Sequence, residues 1–374
     1  MDVLVLGGSG IISSEIVNLL IERKHSVTII NRGKRQQFIH PESKLVIADL
    51  KNDDTDSIAS KLRNYYDVIV DVISYKPEEL KRNMALARNR CEQYILFSTS
   101  VVYSTKSGRY VEEDRTANQK WSYAIYKEAC ESYLMSNAES YGFKYTIIRP
   151  YITYGKTRVP LQFGPLQYYT VVNRAKAGKT IPVFDREVKC TLTYSKDFAI
   201  GAVGLMLNEL AYNQAFHITG QYETTWNQIL KKTIDAFGYE LRTVQLSERD
   251  FENEKLMNGL NWDEVIGDKS RDMLFDNSKI INAVPEFKAS VKYEEVLPDI
   301  IDFFSNAENQ KIDYAWDGRV DSMLSKLPWL SKEEKKKLKF SPGANASRQD
   351  KMTYYWHRSD IAFSIYGIIS KFHK

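Results

Sequence analysis

Met1-Asp-Val-Leu-Val-Leu-Gly-Gly-Ser-Gly-Ile-Ile-Ser-Ser14 is the stretch on which the architecture turns. Val3 to Leu6 is a continuous apolar run of the kind buried on both faces of a parallel sheet, and Ile11, Ile12, Ile16, Leu19 and Leu20 follow at helical spacing. The reading is strand, glycine loop, helix. Backbone N–H groups left free at the start of that helix, and the positive end of its dipole, suit a pyrophosphate. Gly7 permits the tight turn, and Gly10 removes a side chain where backbone must approach phosphate. Ser13 stands where a third glycine is usual and is small enough for close helix packing.

Working outward, Val27 to Ile30 is a second apolar run that ends in Asn31-Arg32-Gly33, at the place, about 20 residues on, where a dinucleotide site reads the ribose. An acidic residue there would hold the 2′-hydroxyl of NAD. Arg32, helped by Lys34 and Arg35, favours the 2′-phosphate of NADP instead. Lys44 to Ala48 and Tyr66 to Ile73 supply a third and a fourth strand, and Tyr94 to Phe97 a fifth, with helix-compatible segments between them. Such alternation predicts an α/β fold, a Rossmann-type doubly wound parallel sheet whose ligand crevice lies at the strand C-terminal ends. Asp49, beside Leu50, is placed either to receive the adenine amino group or to act as a turn or cap residue. Ser74 and Tyr75 border the crevice, and Pro77 starts the next helix.

The fifth strand delivers Ser98-Thr99-Ser100 to the same edge. Further on, Tyr123 and Lys127 are four apart in a helical pattern and share one face. A phenol with an ordinary pKa of about 10 is a poor base at neutral pH, but an ammonium one turn away favours the phenolate. Tyr123 is therefore the candidate acid/base, Thr99 a hydrogen bonder to the substrate oxygen, and Lys127 the activator that can also hold a nicotinamide ribose.

Gly7-Gly8-Ser9-Gly10, Ser98-Thr99, Tyr123-x-x-x-Lys127, and Arg149-Pro150-Tyr151 with Tyr154-Gly155 resemble the extended short-chain dehydrogenase/reductase superfamily, in particular its NAD-dependent epimerases and dehydratases. The resemblance covers about residues 1 to 305. It implies cofactor contacts at Gly7, Gly8, Ser9, Gly10, Ile11, Ile12, Asn31, Arg32, Asp49, Leu50, Ser74, Tyr75, Ser98, Tyr123, Lys127, Pro150 and Tyr151. It implies Thr99, Tyr123 and Lys127 as the catalytic set, a nucleotide-sugar substrate, and a homodimer through helices near Tyr123. Ser100-Val101 stand where the family's dehydratases carry Asp-Glu and its decarboxylases a Glu, which disfavours elimination and leaves epimerisation or keto reduction. Cys190 and Thr191 occupy the region where members often use Arg on the nucleotide diphosphate. Asn31-Arg32-Gly33, Phe275-Asp276-Asn277-Ser278-Lys279 and Pro285-Glu286-Phe287 look more like a branch that also resembles chloroplast stem-loop RNA-binding proteins. An RNA-binding or RNA-processing protein and a non-catalytic NADP-sensing regulator are the alternatives on the same fold.

The organisation expected is a dinucleotide-binding domain over 1–155, a smaller substrate-capping region over 156–305 with elements returning to the sheet, and a helical extension over 306–374. In the capping region Lys156, Arg158, Arg174 and Lys179 are available for a diphosphate. Asp197 is expected to cap the helix from Phe198, and Ala215 to Thr219 to form the last sheet strand, with His217 structural. Ser331 opens a charged helix with a capping box, Ser341 to Ser347 form a break, and the aromatic tail from Tyr354 to Phe372 is expected to pack on the body or on a dimer mate in preference to a membrane surface. Composition frames all of this. Of 374 residues 43% are apolar and 27% charged, with a net charge of +4 spread along the chain, which suits anionic ligands without calling for nucleic acid. The cysteines, Cys91, Cys130 and Cys190, are isolated, which points to core thiols and away from a disulfide framework or a metal site. No apolar run approaches the roughly 18 residues of a membrane span, and the chain starts directly on its first strand, so cytoplasmic residence is expected.

Overall fold

The computed structural model describes residues 1–103, 108–115, 118, 120–338 and 346–365. Its central feature is a sheet of seven parallel strands: β1 (Asp2–Leu6), β2 (Ser26–Asn31), β3 (Lys44–Ile47), β4 (Tyr66–Asp71), β5 (Cys91–Phe97), β6 (Lys144–Pro150) and β7 (Gln214–Ile218). Their spatial order is 3-2-1-4-5-6-7, every neighbouring pair parallel. The order reverses at β1, so the crevice opens between the C-terminal ends of β1 and β4. This is the predicted doubly wound sheet, and β7 falls where the last strand was expected.

Alternation along β1 divides the core. Val3 and Val5 face one apolar cluster with Ile16, Val17 and Leu20 of helix α1 (Ile11–Glu22), while Leu4 and Leu6 face a second with Leu80 and Met84 of α2 (Pro77–Ala87) and Cys130 and Leu134 of α3 (Ser122–Asn137). The apolar run Val3–Leu6 is therefore covered on both faces. At about 25 cal/mol per Å² of apolar surface removed from water, these two layers are the dominant stabilising term. Cys91, Cys130 and Cys190 are all buried thiols, and burial pushes the first two up to about 12.

Two compact units are present: residues 1–155, 189–224 and 271–293, which include the sheet, and residues 156–188, 225–270 and 294–374. In the second unit a parallel pair joins Ile181–Phe184 to Thr243–Leu246, and helix α4 (Tyr314–Lys326) packs on α5 (Arg348–Arg358). Gly318 permits that approach, since a Cβ there would lie 2.5 Å from the carbonyl oxygen of Tyr354. Ser331 does cap the Lys332–Lys337 helix, bonding Glu334 reciprocally. Of the tail, Tyr354 is buried, whereas Tyr355, Trp356, Ile361 and Ile365 are exposed; Tyr366, Ile368, Ile369 and Phe372, like residues 341–345 of the break expected over Ser341 to Ser347, lie outside the described residues. Among the described residues no helix is long and apolar enough to cross a membrane.

Three local expectations are corrected. Asp197 does not cap its helix, which begins at Ser195; it sits in the first turn and accepts from the backbone N of Val291 at 3.2 Å. Strand β4 ends at Asp71, because that buried carboxylate turns the chain by accepting from the N–H groups of Ile73 and Ser74, each at 3.0 Å. Arg174 and Lys179 are not available to a diphosphate. Both are buried in an ion cluster with Asp317 and Asp321 of α4.

Candidate active site

The glycine loop has the geometry its composition requires. Gly7 and Gly8 take φ of +119° and +85°, and a Cβ on Gly7 would stand 2.6 Å from a methyl of Val72. Gly10 precedes α1, and its N–H donates to Ser13 Oγ at 3.0 Å. Ser13 thus fastens the loop as well as allowing close packing. The N–H groups of Ile11 and Ile12, in the first turn of α1, have no carbonyl four residues back within the helix, an arrangement that suits an anion.

A cavity of about 350 Å³ opens beside this loop. It brings together Gly7, Ser9, Asn31, Arg32, Asp49, Leu50 and Tyr75 from the predicted set, and adds Lys34, Arg35, Lys51, Glu79 and Asn83. The Asn31 side chain is committed to the turn, donating to Gly7 O and accepting from Gly33 N, both at 2.8 Å. That bracket presents Arg32 at the rim. Asp49 is the turn residue the sequence allowed, its carboxyl held below the ordinary range by bonds from Lys51 N and Asn52 Nδ2, and it also lines the cavity.

The catalytic candidates lie at the strand ends next to the crevice. Lys127 is 2% exposed and its ammonium donates to the carbonyls of Ser74 and Phe97, each at 2.7 Å, tying α3 to the turn after β4 and to the end of β5. Burial lowers its pKa, with the Asp71 carboxylate acting in the opposite sense. Nζ is 6.0 Å from the ring centre of Tyr123, and that ring centre is 4.8 Å from the Trp121 ring and 6.0 Å from the Tyr75 ring. Thr99 is buried and its Oγ1 accepts a long bond, 3.4 Å, from Val101 N. Ser98 Oγ is buried with no partner among the described residues, an orphaned hydroxyl at the crevice edge. Ser100 is instead turned into the protein, donating to Arg149 O. Pro150 ends β6 and Tyr151 follows it, buried against Phe275. The next residue, Ile152, has φ +33°, an uncommon conformation for a β-branched side chain.

Two groups escaped the sequence reading. Asp71 is fully buried and accepts from Ser74 Oγ (2.5 Å), Tyr94 OH (2.6 Å) and Asn83 Nδ2 (3.0 Å), so it fixes the carbonyl that Lys127 grips. An acid interrupting the apolar run of β4 was the available signal. Glu131, one turn past Lys127, forms a buried bidentate pair with Arg149 at 2.9 and 2.7 Å. Burial works against that guanidinium, but Glu131 outweighs it and holds the group charged. His217 is structural: Nδ1 meets Tyr103 OH at 2.9 Å and Nε2 meets Asp276 O at 2.7 Å, and burial lowers it to about 4.

A parallel 3-2-1-4-5-6-7 sheet with a glycine loop at its switch point and a Tyr-Lys helix beside it defines a dinucleotide-binding α/β protein. The chain belongs to the NAD dependent epimerase/dehydratase family, whose model matches residues 3–218. It is 28% identical over 264 residues, 67% of each chain, to the chloroplast stem-loop binding protein of 41 kDa b of Arabidopsis thaliana. It is 29% identical over 256 residues to the UDP-N-acetyl-alpha-D-glucosaminuronate decarboxylase of Bacillus cytotoxicus, covering 60% of this chain and 77% of that one. Among solved structures it is similar to the UDP-glucuronic acid 4-epimerase of Bacillus cereus in complex with UDP-glucuronic acid and NAD, with a TM-score of 0.65 at 16% identity, covering 82% of this chain and 99% of that one.

Proposed function

We propose that this protein carries out NAD(P)-dependent redox conversion of a nucleotide-activated sugar, by epimerisation or keto reduction, with Tyr123 as the acid/base. The observation that carries the reading is the junction at Lys127: one buried ammonium joins the Tyr123 helix to the turn after β4 and the end of β5, beside a glycine-loop cavity. The residues present fit a dinucleotide. Gly7 and Gly8 hold a turn that side chains would fill, Ile11 and Ile12 offer N–H donors, and Ser98 Oγ is an unused hydroxyl at the same edge. When bound, the nicotinamide supplies hydride acceptance and return. Tyr123 exchanges a proton between its phenol oxygen and the substrate hydroxyl, and the Lys127 charge favours the phenolate. Thr99 hydrogen-bonds that substrate oxygen. NADP is the preferred dinucleotide in this proposal, because Arg32, Lys34 and Arg35 all line the cavity and no acidic side chain stands at the end of β2. A homodimer through the outer face of α3, where Ile125 and Met135 are exposed, and cytoplasmic residence belong to the same proposal.

Titration of NAD and NADP into the protein tests the first half, with NADP expected to bind at least about tenfold tighter because of charge-assisted pairing at the 2′-phosphate. Equal affinities would remove the NADP preference alone. Binding of neither would overturn the proposal. With a panel of nucleotide sugars, Tyr123→Phe should lower turnover by about 10²- to 10⁴-fold while leaving dinucleotide affinity unchanged; full activity in that variant would overturn the acid/base role. The similarity to a stem-loop binding protein favours a second reading, nucleic-acid binding on this fold. Stem-loop RNA retarded by a protein that binds neither dinucleotide would select it.

A further inference from the structure

Lys127 has more roles than donors. An ammonium offers three N–H groups, and two are taken by the carbonyls of Ser74 and Phe97. The ring of Tyr75 is centred 4.8 Å from Nζ, within cation–π range. With that ring in place Lys127 is 2% exposed, although the proposed function asks it to reach a ribose hydroxyl.

Tyr75 itself is built to move as a side chain and not as a loop. Its backbone N donates to Glu79 Oε2 at 2.9 Å, and the residues before it are clamped on Asp71 through Ile73 N, Ser74 N and Ser74 Oγ. Its ring, by contrast, lies on the rim of the cavity and the residue is 51% exposed. Rotation about its χ angles therefore uncovers the ammonium without disturbing the clamp. The ring is also 6.0 Å from that of Tyr123, so the same rotation opens space at the acid/base.

We propose that Tyr75 is a gate at the nicotinamide end of the dinucleotide site, its ring covering Lys127 in the free protein and rotating aside when the cofactor's ribose takes the remaining N–H. The gate rests on the dinucleotide reading given above. It makes the cation–π contact a direct competitor of the cofactor, so affinity is reduced by the fraction of molecules in which the ring is closed. A cofactor admitted this way exchanges with solution.

The dissociation constants of NADP and NAD for the wild type, Tyr75→Phe and Tyr75→Ala test it without recourse to turnover. Tyr75→Ala should bind the preferred dinucleotide about three- to tenfold tighter, the range expected for loss of a half-exposed cation–π competitor. Tyr75→Phe keeps the ring face and should stay within about twofold of wild type. In a Lys127→Met background the gain from Tyr75→Ala should vanish, because the ring then has no ammonium to cover. Unchanged or weaker binding by Tyr75→Ala would overturn the gate, as would a gain that persists in the Lys127→Met protein. If the wild type binds neither dinucleotide, the dinucleotide reading falls and the gate falls with it. A wild type that binds, joined to a Tyr75→Ala protein that binds no tighter, removes the gate alone.

Discussion

Glu131 and Arg149 show how much of this site is decided by single side chains out of view of the ligand. Arg149, 2% exposed, donates to both carboxylate oxygens of Glu131 and also to Glu112 O at 2.9 Å, while Glu131 is 0% exposed. Because Glu131 lies one helical turn beyond Lys127, the pair fixes the α3 face that carries Tyr123 and Lys127 against the end of β6. Removing the carboxylate would leave a buried guanidinium without its counter-charge, so Glu131→Ala should lower stability by about 3–5 kcal/mol. Urea unfolding measures this, and a loss below about 1 kcal/mol would mean that the guanidinium finds water or another acid. Sequence marked as candidates the residues recognisable from local position: Gly7 after an apolar run, Thr99 after another, Tyr123 and Lys127 one turn apart. It concealed those whose meaning depends on a distant partner. Asp71 acquires its role from Tyr94 and Asn83, and Arg174 and Lys179 read as surface cations because charge in a sequence carries no sign of burial.

Elements were legible in proportion to their length. Five apolar runs in the first hundred residues each became a parallel strand; burial on both faces keeps the central ones mostly apolar, while the edge strand β3 exposes Lys44 and Ile47. Short excursions carry too little pattern to be read: Gly108–Tyr110, Lys189–Thr191 and Met273–Phe275 are three residues each, yet they pair in parallel. Strand β7 is the intermediate case, legible as a strand but not as the anchor of a polar chain through His217, Tyr103 and Arg149. His217 is fully buried, and burial lowers it from its ordinary 6.5 to about 4. In the unfolded chain it takes a proton near pH 6.5, whereas in the fold it resists protonation down to about 4, so stability is complete above the first value and is lost as pH falls towards the second. The size of that loss is about 3 kcal/mol. Comparing wild type with His217→Gln by urea unfolding between pH 7 and pH 4 isolates it: the stability difference between the two proteins should shift by about this amount in favour of the variant as pH falls. A pH-independent difference would show that the fold leaves the His217 imidazole at its unfolded pKa.

At the scale of the whole molecule, the proposed dinucleotide site falls in one compact unit and a buried ion cluster in the other. Every residue lining the cavity belongs to the unit that holds the sheet. In the other unit, Arg174 and Lys179 meet Asp317 and Asp321, two cations against two carboxylates, all at most 2% exposed. Tyr354 of α5 donates to Asp321 Oδ2 at 2.5 Å, and burial together with that carboxylate raises its phenol above the ordinary range. The cluster thereby joins residues more than a hundred positions apart, including the C-terminal helix. Charges balanced in this way are stable only as a set, and a missing carboxylate leaves excess positive charge where water does not reach. Asp321→Asn should therefore cost the second unit about 3–5 kcal/mol. Its effect on the dissociation constant for NADP should be less than about twofold, since additivity holds for groups that share no partner. Calorimetric unfolding followed by dinucleotide titration of the folded variant reads both quantities. Loss of stability with affinity retained is the expected result; affinity that falls in step with stability would mean that the two units unfold as one cooperative body and that the dinucleotide site depends on both.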